Sequence, residues 1–263
     1  MDIGGETFNV KVEGPQNAPA LMLSNSLGTD LHMWDAQAPQ FSSRFRLVRY
    51  DSRGHGASVA GKGPYSIERL GRDALAILDA LGLAKAHWVG LSKGGMVGQW
   101  LLANAGERFG RAIFANTAAH YEDPSSWNAR IAAVRANGMA AIAPAVIERW
   151  LTPEFRKRDP AAVERLLATL RATPVEGYAS CCAAIRDMDL RESDRRIKNP
   201  VLVIVGSRDA ATPREHGQDI AARIAGAQLV ELDAAHLSNI EQSEAFTQAA
   251  LRFLEADDAS GPR

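Results

Sequence analysis

Residues Gly90–Gly95 read GLSKGG, and the fold follows from what flanks them. The five residues from Gly90 to Gly94 fit the pattern G-x-S-x-G, in which a serine sits on a sharp turn between a strand and a helix. The preceding AHWVG (residues 86–90) reads as a strand, and GGMVGQWLLANA (residues 94–105) reads as a helix. Glycines on either side permit the strained turn and a close strand–helix approach, so the Ser92 hydroxyl is expected at the carboxyl edge of a sheet. The start of the helix favours negative charge beside it. A backbone N–H there, that of Lys93, can face a developing oxyanion.

Working outward, short apolar runs alternate with longer stretches of helical spacing. The runs TFNVKVEG, ALMLSNS, FRLVRYD, AHWVGLS, RAIFANT, PVLVIVGS and AQLVELDA read as strands. Ser66–Leu81, Gly95–Ala105 and Gln242–Ala256 read as helices. This alternation predicts a mostly parallel sheet covered on both faces, with the first strand antiparallel at an edge. From His120 to Arg196 no strand is predicted. Helices punctuated by Pro124, Pro144, Pro153, Pro160 and Pro174 predict an insertion instead. The expected organisation is an α/β core of residues 1–119 and 197–263 with a helical cap of residues 120–196. The closing EADDASGPR is expected to fray.

The 263-residue chain is long enough for one large core. Its net charge of -1 gives no bulk field to recruit nucleic acid or an anionic membrane. No apolar run approaches a membrane span. The opening MDIGGETFNV lacks a basic segment followed by an apolar core, so no secretory signal is expected. The two cysteines, Cys181 and Cys182, are adjacent; they are read as reduced, buried thiols of a cytoplasmic protein.

A serine needs a base to become a nucleophile. Among six histidines, His236 follows the last strand, where a loop would return over the carboxyl edge. His87 precedes the Ser92 strand and so belongs to the opposite end. His32 and His55 lie in loops that could approach the site. Asp209 follows the apolar strand VLVIV and can orient His236. The second oxyanion donor is expected after ALMLSNS, at the N–H of Leu27, with Gly28 allowing the turn. In S-x-x-K enzymes a lysine base lies three residues on. Lys93 lies one residue on, so its side chain is expected to reach solvent or a nearby carboxylate.

The order Ser92, Asp209, His236, together with the elbow and DSRGHGAS (residues 51–58), resembles the α/β-hydrolase superfamily over nearly the whole chain. DSRGHGAS looks like the D-x-R-G-x-G-x-S loop of its helically capped, cofactor-free members, which implies mainly scaffold roles for Arg53 and His55. The resemblance implies a mostly parallel eight-stranded sheet flanked by helices. It also implies no metal or organic cofactor. Within the superfamily, LSNSLGTDLHMWDAQ, GLSKGGMVGQWL and the cap segments SSWNARIAAVRANGM and IERWLTPEF resemble the 3-oxoadipate enol-lactonases of aromatic breakdown. The implied substrate is a small anionic lactone, opened through an acyl-enzyme on Ser92.

Residues 120–196 hold twelve Lys+Arg against eleven Asp+Glu, so the cap offers no net positive field. A placed arginine, Arg130 or Arg135, would have to hold the carboxylate, with Trp127 and Trp150 as pocket walls. A carboxylesterase, a carbon–carbon bond hydrolase and a cofactor-free perhydrolase share the same scaffold and triad. A dehalogenase would need a carboxylate where Ser92 stands, and relocation of the acid would need one at Asn116. A non-enzymatic receptor of the same fold is the rival from another class, and a homo-oligomer is left open.

Overall fold

The computed structural model describes residues 1–256; residues 257–263, most of the tail expected to fray, lie outside the described residues. The strands are β1 (Asp2–Ile3), β2 (Glu6–Thr7), β3 (Val10–Glu13), β4 (Ala20–Ser24), β5 (Arg46–Tyr50), β6 (Ala86–Leu91), β7 (Phe109–Ala115), β8 (Val201–Gly206) and β9 (Gln228–Leu232). The α-helices are α1 (Ala38–Ser42), α2 (Ile67–Ala80), α3 (Lys93–Ala105), α4 (Ser125–Asn137), α5 (Ala143–Trp150), α6 (Pro153–Arg158), α7 (Pro160–Ala172), α8 (Val175–Arg186), α9 (Arg191–Asp194), α10 (Arg214–Arg223), α11 (Ser238–Glu241) and α12 (Ser243–Leu254).

Among the described residues seven strands, not the expected eight, form the main sheet, in the order β3-β5-β4-β6-β7-β8-β9. The first apolar run divides. Its first residue, Thr7, belongs with Glu6 to β2, which pairs with Asp2–Ile3 in a separate two-stranded ribbon, and only Val10–Glu13 joins the sheet, antiparallel to β5. Every other pairing in the sheet is parallel. The central strands β4, β6, β7 and β8 are apolar along nearly their whole length and almost wholly buried. That is what a parallel sheet covered on both faces demands. β3 and β9 keep exposed positions because they are the edges.

Helix starts follow local chemistry. Ser66 Oγ accepts from the Arg69 N–H at the head of α2, Thr152 Oγ1 from Phe155 at α6, and Asp159 from Ala162 at α7. Each satisfies an N–H that has no intrahelical partner. Pro153 and Pro160 occupy the first helical position, where the missing N–H costs nothing.

Between β7 and β8 the chain is helical, as α4 to α9, apart from an isolated bridge between His120 and Asp189. This segment is fastened to the loops at the sheet's carboxyl edge. The Leu237 N–H donates to the Trp150 carbonyl at 3.0 Å. Buried Glu241 accepts from the Ala235 N–H at 3.0 Å and from the Thr152 hydroxyl.

Candidate active site

Ser92 follows β6 and caps α3 with φ 56° and ψ -116°, one of two non-glycine residues at positive φ among those described. The strain is held by neighbours that leave no room for relaxation. A Cβ on Gly90 would stand 2.1 Å from the Gly94 carbonyl oxygen, and one on Gly94 would stand 2.2 Å from that of Ser24. The Ser92 carbonyl accepts from Thr117 Oγ1 at 2.7 Å.

His236 follows β9 and is buried. Its Nδ1 lies 2.9 Å from Asp209 Oδ2, which places the ring's other nitrogen, Nε2, away from the acid. Asp209 is held in turn by the N–H groups of Ala211 and Thr212, at 2.8 and 2.9 Å, and by Thr212 Oγ1 at 2.7 Å. Asn116 Nδ2 adds a donor to Asp209 Oδ2 at 3.0 Å. Burial alone would raise the Asp209 carboxyl; the His236 ring and the Thr212 donors outweigh it and bring it down to about 2.

Asn116 is the other non-glycine residue at positive φ. Its amide also donates to the Ala235 carbonyl at 3.3 Å, and its Oδ1 accepts from Ser238 Oγ at 2.5 Å. It therefore ties the acid to the histidine loop. Sequence reasoning noted Asn116 only as the residue that is not an acid. Thr212 was missed as well, although its position three residues after Asp209 is the spacing of a local side chain–backbone turn.

Ser92 and His236 line one cavity of about 100 Å³ together with Ser26, Leu27, Met96, Tyr121, Trp127, Arg130, Arg149 and Trp150. A larger cleft of about 830 Å³ lies at the opposite, amino ends of the strands; it contains His87 and none of the candidate residues. The Leu27 N–H has no acceptor among the described residues, and Gly28 beyond it takes φ 81°. The Lys93 N–H is the first of α3, where no preceding turn can satisfy it.

The structure separates the two arginines singled out from sequence. Arg130 lines the cavity, its guanidinium 4.8 Å from the Trp127 ring centroid. Arg135 does not line it; it lies exposed, in an ion pair with Glu176 at 3.0 Å. Five residues on from Arg130, it turns to a different side of α4. Arg149, one residue before Trp150 on α5, lines the cavity and was not foreseen. No Asp or Glu is among the described residues that line it.

Among the other histidines, His32 is two-thirds exposed and pairs with Asp35, away from the cavity. His55 is wholly buried behind the Leu27 loop. Lys93 corrects the expectation made for it: the side chain is buried, and its Nζ has no hydrogen-bond partner among the described residues. Burial pushes its pKa down. Cys181 and Cys182 are free and buried, as expected. Among the described residues no cluster of side chains is arranged to hold a metal, and no helix is long and apolar enough to cross a membrane.

The sequence pattern of the alpha/beta hydrolase fold family matches residues 19–243. The chain is 44% identical over 242 residues to 3-oxoadipate enol-lactonase 2 of Acinetobacter baylyi, covering 92% of this chain and 91% of that protein. It is 40% identical to 3-oxoadipate enol-lactonase 1 of the same organism, covering 96% and 94% respectively. Among solved structures, the enol-lactonase from Burkholderia xenovorans LB400 superposes with a TM-score of 0.95 at 44% identity, covering 97% of this chain and 98% of that one.

Proposed function

The chain belongs to the α/β-hydrolase fold family, and from that premise we propose that it hydrolyses 3-oxoadipate enol-lactone to 3-oxoadipate with Ser92 as nucleophile. The observation that carries the substrate class is the charge of the cavity. Among the described residues, two arginines and no Asp or Glu line a space that also holds Ser92 and His236. Its small volume suits a compact lactone better than a long acyl chain, and the half-buried Arg130 is placed to take the substrate carboxylate.

In the proposed reaction His236 Nε2 takes the Ser92 proton as Oγ attacks the lactone carbonyl. Asp209, kept ionised, fixes the Nδ1–H tautomer and stabilises the imidazolium that forms. The N–H groups of Leu27 and Lys93 hold the tetrahedral oxyanion. Collapse breaks the ring C–O bond, and His236 returns the proton to the departing enol oxygen. The enol tautomerises to the ketone. Water, deprotonated by His236, then attacks the acyl-enzyme, and its collapse frees the second carboxylate and the Ser92 hydroxyl. The core and inserted-helix division at residues 120 and 196 serves this reading, because residues 120–196 supply the arginines and the core supplies the triad.

The test is steady-state kinetics on the carboxymethyl enol lactone, a neutral aryl ester and a vinylogous diketone. Turnover should be highest on the lactone. Ser92→Ala should lower it by about 10³-fold or more, and retention of a tenth of wild-type turnover would remove Ser92 from its role. Arg130→Gln should raise KM for the lactone about 10- to 100-fold, the value of one charge-assisted hydrogen bond. It should leave the neutral ester within about twofold, because uncharged substrate makes no use of that bond. Equal loss on both substrates would show that Arg130 shapes the cavity rather than binding charge.

A further inference from the structure

Behind the Leu27 loop, the Gly28 N–H donates to His55 Nε2 at 2.8 Å. A ring nitrogen that accepts leaves a neutral imidazole one proton, on Nδ1. That nitrogen faces the Arg53 carbonyl oxygen at 3.3 Å. The two contacts therefore fix both the tautomer and the plane of a ring that is wholly buried. Burial, and next the charge of Lys93, hold the His55 pKa well below its usual value, so the acceptor nitrogen stays unprotonated. Cys181 Sγ closes the far side, 4.0 Å from Nδ1 and 3.7 Å from the Arg53 oxygen.

The loop that carries His55 is itself rigidly braced. Asp51 accepts from the N–H groups of Leu31 and Ala57 at 2.8 and 3.0 Å and from Asn9 Nδ2 at 2.8 Å. The Arg53 guanidinium bridges Glu6 and Asp73. Gly54 packs so closely on Gly177 that a Cβ would stand 2.6 Å from its Cα. A braced loop thus presents one acceptor to a loop whose glycine takes a left-handed conformation, and the donor just before that glycine, the Leu27 N–H, has no acceptor of its own.

We propose that His55 is a positioning residue for the oxyanion hole: by accepting from Gly28 it fixes the Leu27–Gly28 peptide and so aims the Leu27 N–H at the oxyanion. The inference rests on the serine-hydrolase reading above and adds a residue that touches neither the substrate nor the triad. A donor that must reorient during the reaction is worth much less than one already in place.

The test compares three variants with the wild-type enzyme on the enol lactone. His55→Leu removes the acceptor. His55→Asn keeps a donor for the Arg53 carbonyl but is too short to reach Gly28, and it stands in if the leucine variant does not fold. His55→Gln can place an oxygen near the Nε2 position. The leucine and asparagine variants should lose about 10- to 100-fold in kcat, somewhat less than outright loss of a donor, with KM within about threefold. Affinity for a trifluoromethyl ketone, a mimic of the tetrahedral adduct, should weaken in parallel with kcat. The glutamine variant should recover kcat to within about threefold of wild type. A leucine or asparagine variant that keeps kcat within about twofold, or a glutamine variant no better than either, would overturn the proposal. These readings are ratios against an active wild type, so they fail separately from the Ser92→Ala test of the reaction itself.

Discussion

Lys93 is the residue at which local and tertiary chemistry disagree most. A lysine at the start of a helix would ordinarily turn its charge to water, away from the positive end of the dipole. Here the side chain is buried and its Nζ has no hydrogen-bond partner among the described residues. An uncompensated buried charge costs free energy that an apolar side chain of similar length does not. Lys93→Met should therefore stabilise the protein by about 1–2 kcal/mol, which for this size is about 2–8 °C in Tm. The sign with pH is also fixed. The folded-state pKa lies below the unfolded one, so the folded chain binds fewer protons and the wild type gains stability as pH rises through that window. The Tm gap between Lys93→Met and wild type should shrink as pH approaches 10; a gap that widens would contradict the burial of the amine. A loss of turnover comparable to that of Ser92→Ala would instead restore Lys93 as a base. Nothing in the sequence around Lys93 carries this burial, because what covers the side chain comes from remote segments. Ser92, Asp209 and His236 were legible for the converse reason: each lies at the carboxyl end of its own apolar run. Asn116, Thr212 and Arg149 gain their meaning only from groups on other loops or helices.

At the scale of elements, the runs that form the central strands β4, β6, β7 and β8 were readable because burial on both faces makes a parallel strand continuous in hydrophobicity. The start of the first run was not, since its first residue, Thr7, serves with Glu6 a small ribbon outside the sheet. The return from the inserted helices to the core brings a second conflict. On α9, which packs against α3 and α10, Asp194 is wholly buried and neither carboxylate oxygen has a hydrogen-bond partner among the described residues. Burial pushes it up to about 8, with Arg223 opposing and Asp219 and Asp189 adding to the rise. A carboxyl whose folded pKa is raised binds a proton that the unfolded chain has already released. Its contribution is full below the unfolded value near 4 and is lost as pH rises towards 8. Wild-type stability should therefore fall by up to about 1.4 kcal/mol per pH unit across that window from this group. Asp194→Asn should flatten the slope and raise Tm at pH 8 more than at pH 5, measured by thermal unfolding monitored by circular dichroism. Equal shifts at both pH values would mean that Asp194 titrates normally.

The molecule as a whole is almost neutral, with a formal net charge of -1, whereas the described residues that line the cavity include two arginines and no Asp or Glu. Attraction of an anionic lactone must then come from the cavity, not from a field spread over the surface. Counting charges along residues 120–196 could not reveal this, because the exposed acids of that segment cancel its arginines in a sum while lying outside the cavity. The distinction has a kinetic consequence. Long-range steering collapses when the Debye length falls from about 30 Å at 0.01 M salt to about 10 Å at 0.1 M. A contact inside a partly closed cavity is screened much less. Raising ionic strength from about 0.01 to 0.15 M should thus lower kcat/KM for the enol lactone by no more than about threefold, and leave a neutral ester unchanged. In Arg130→Gln even that small dependence should diminish, because one of the two arginines lining the cavity is gone. A tenfold or steeper fall in the wild type would place the attraction on the outer surface. The arginines of the cavity would then set orientation alone.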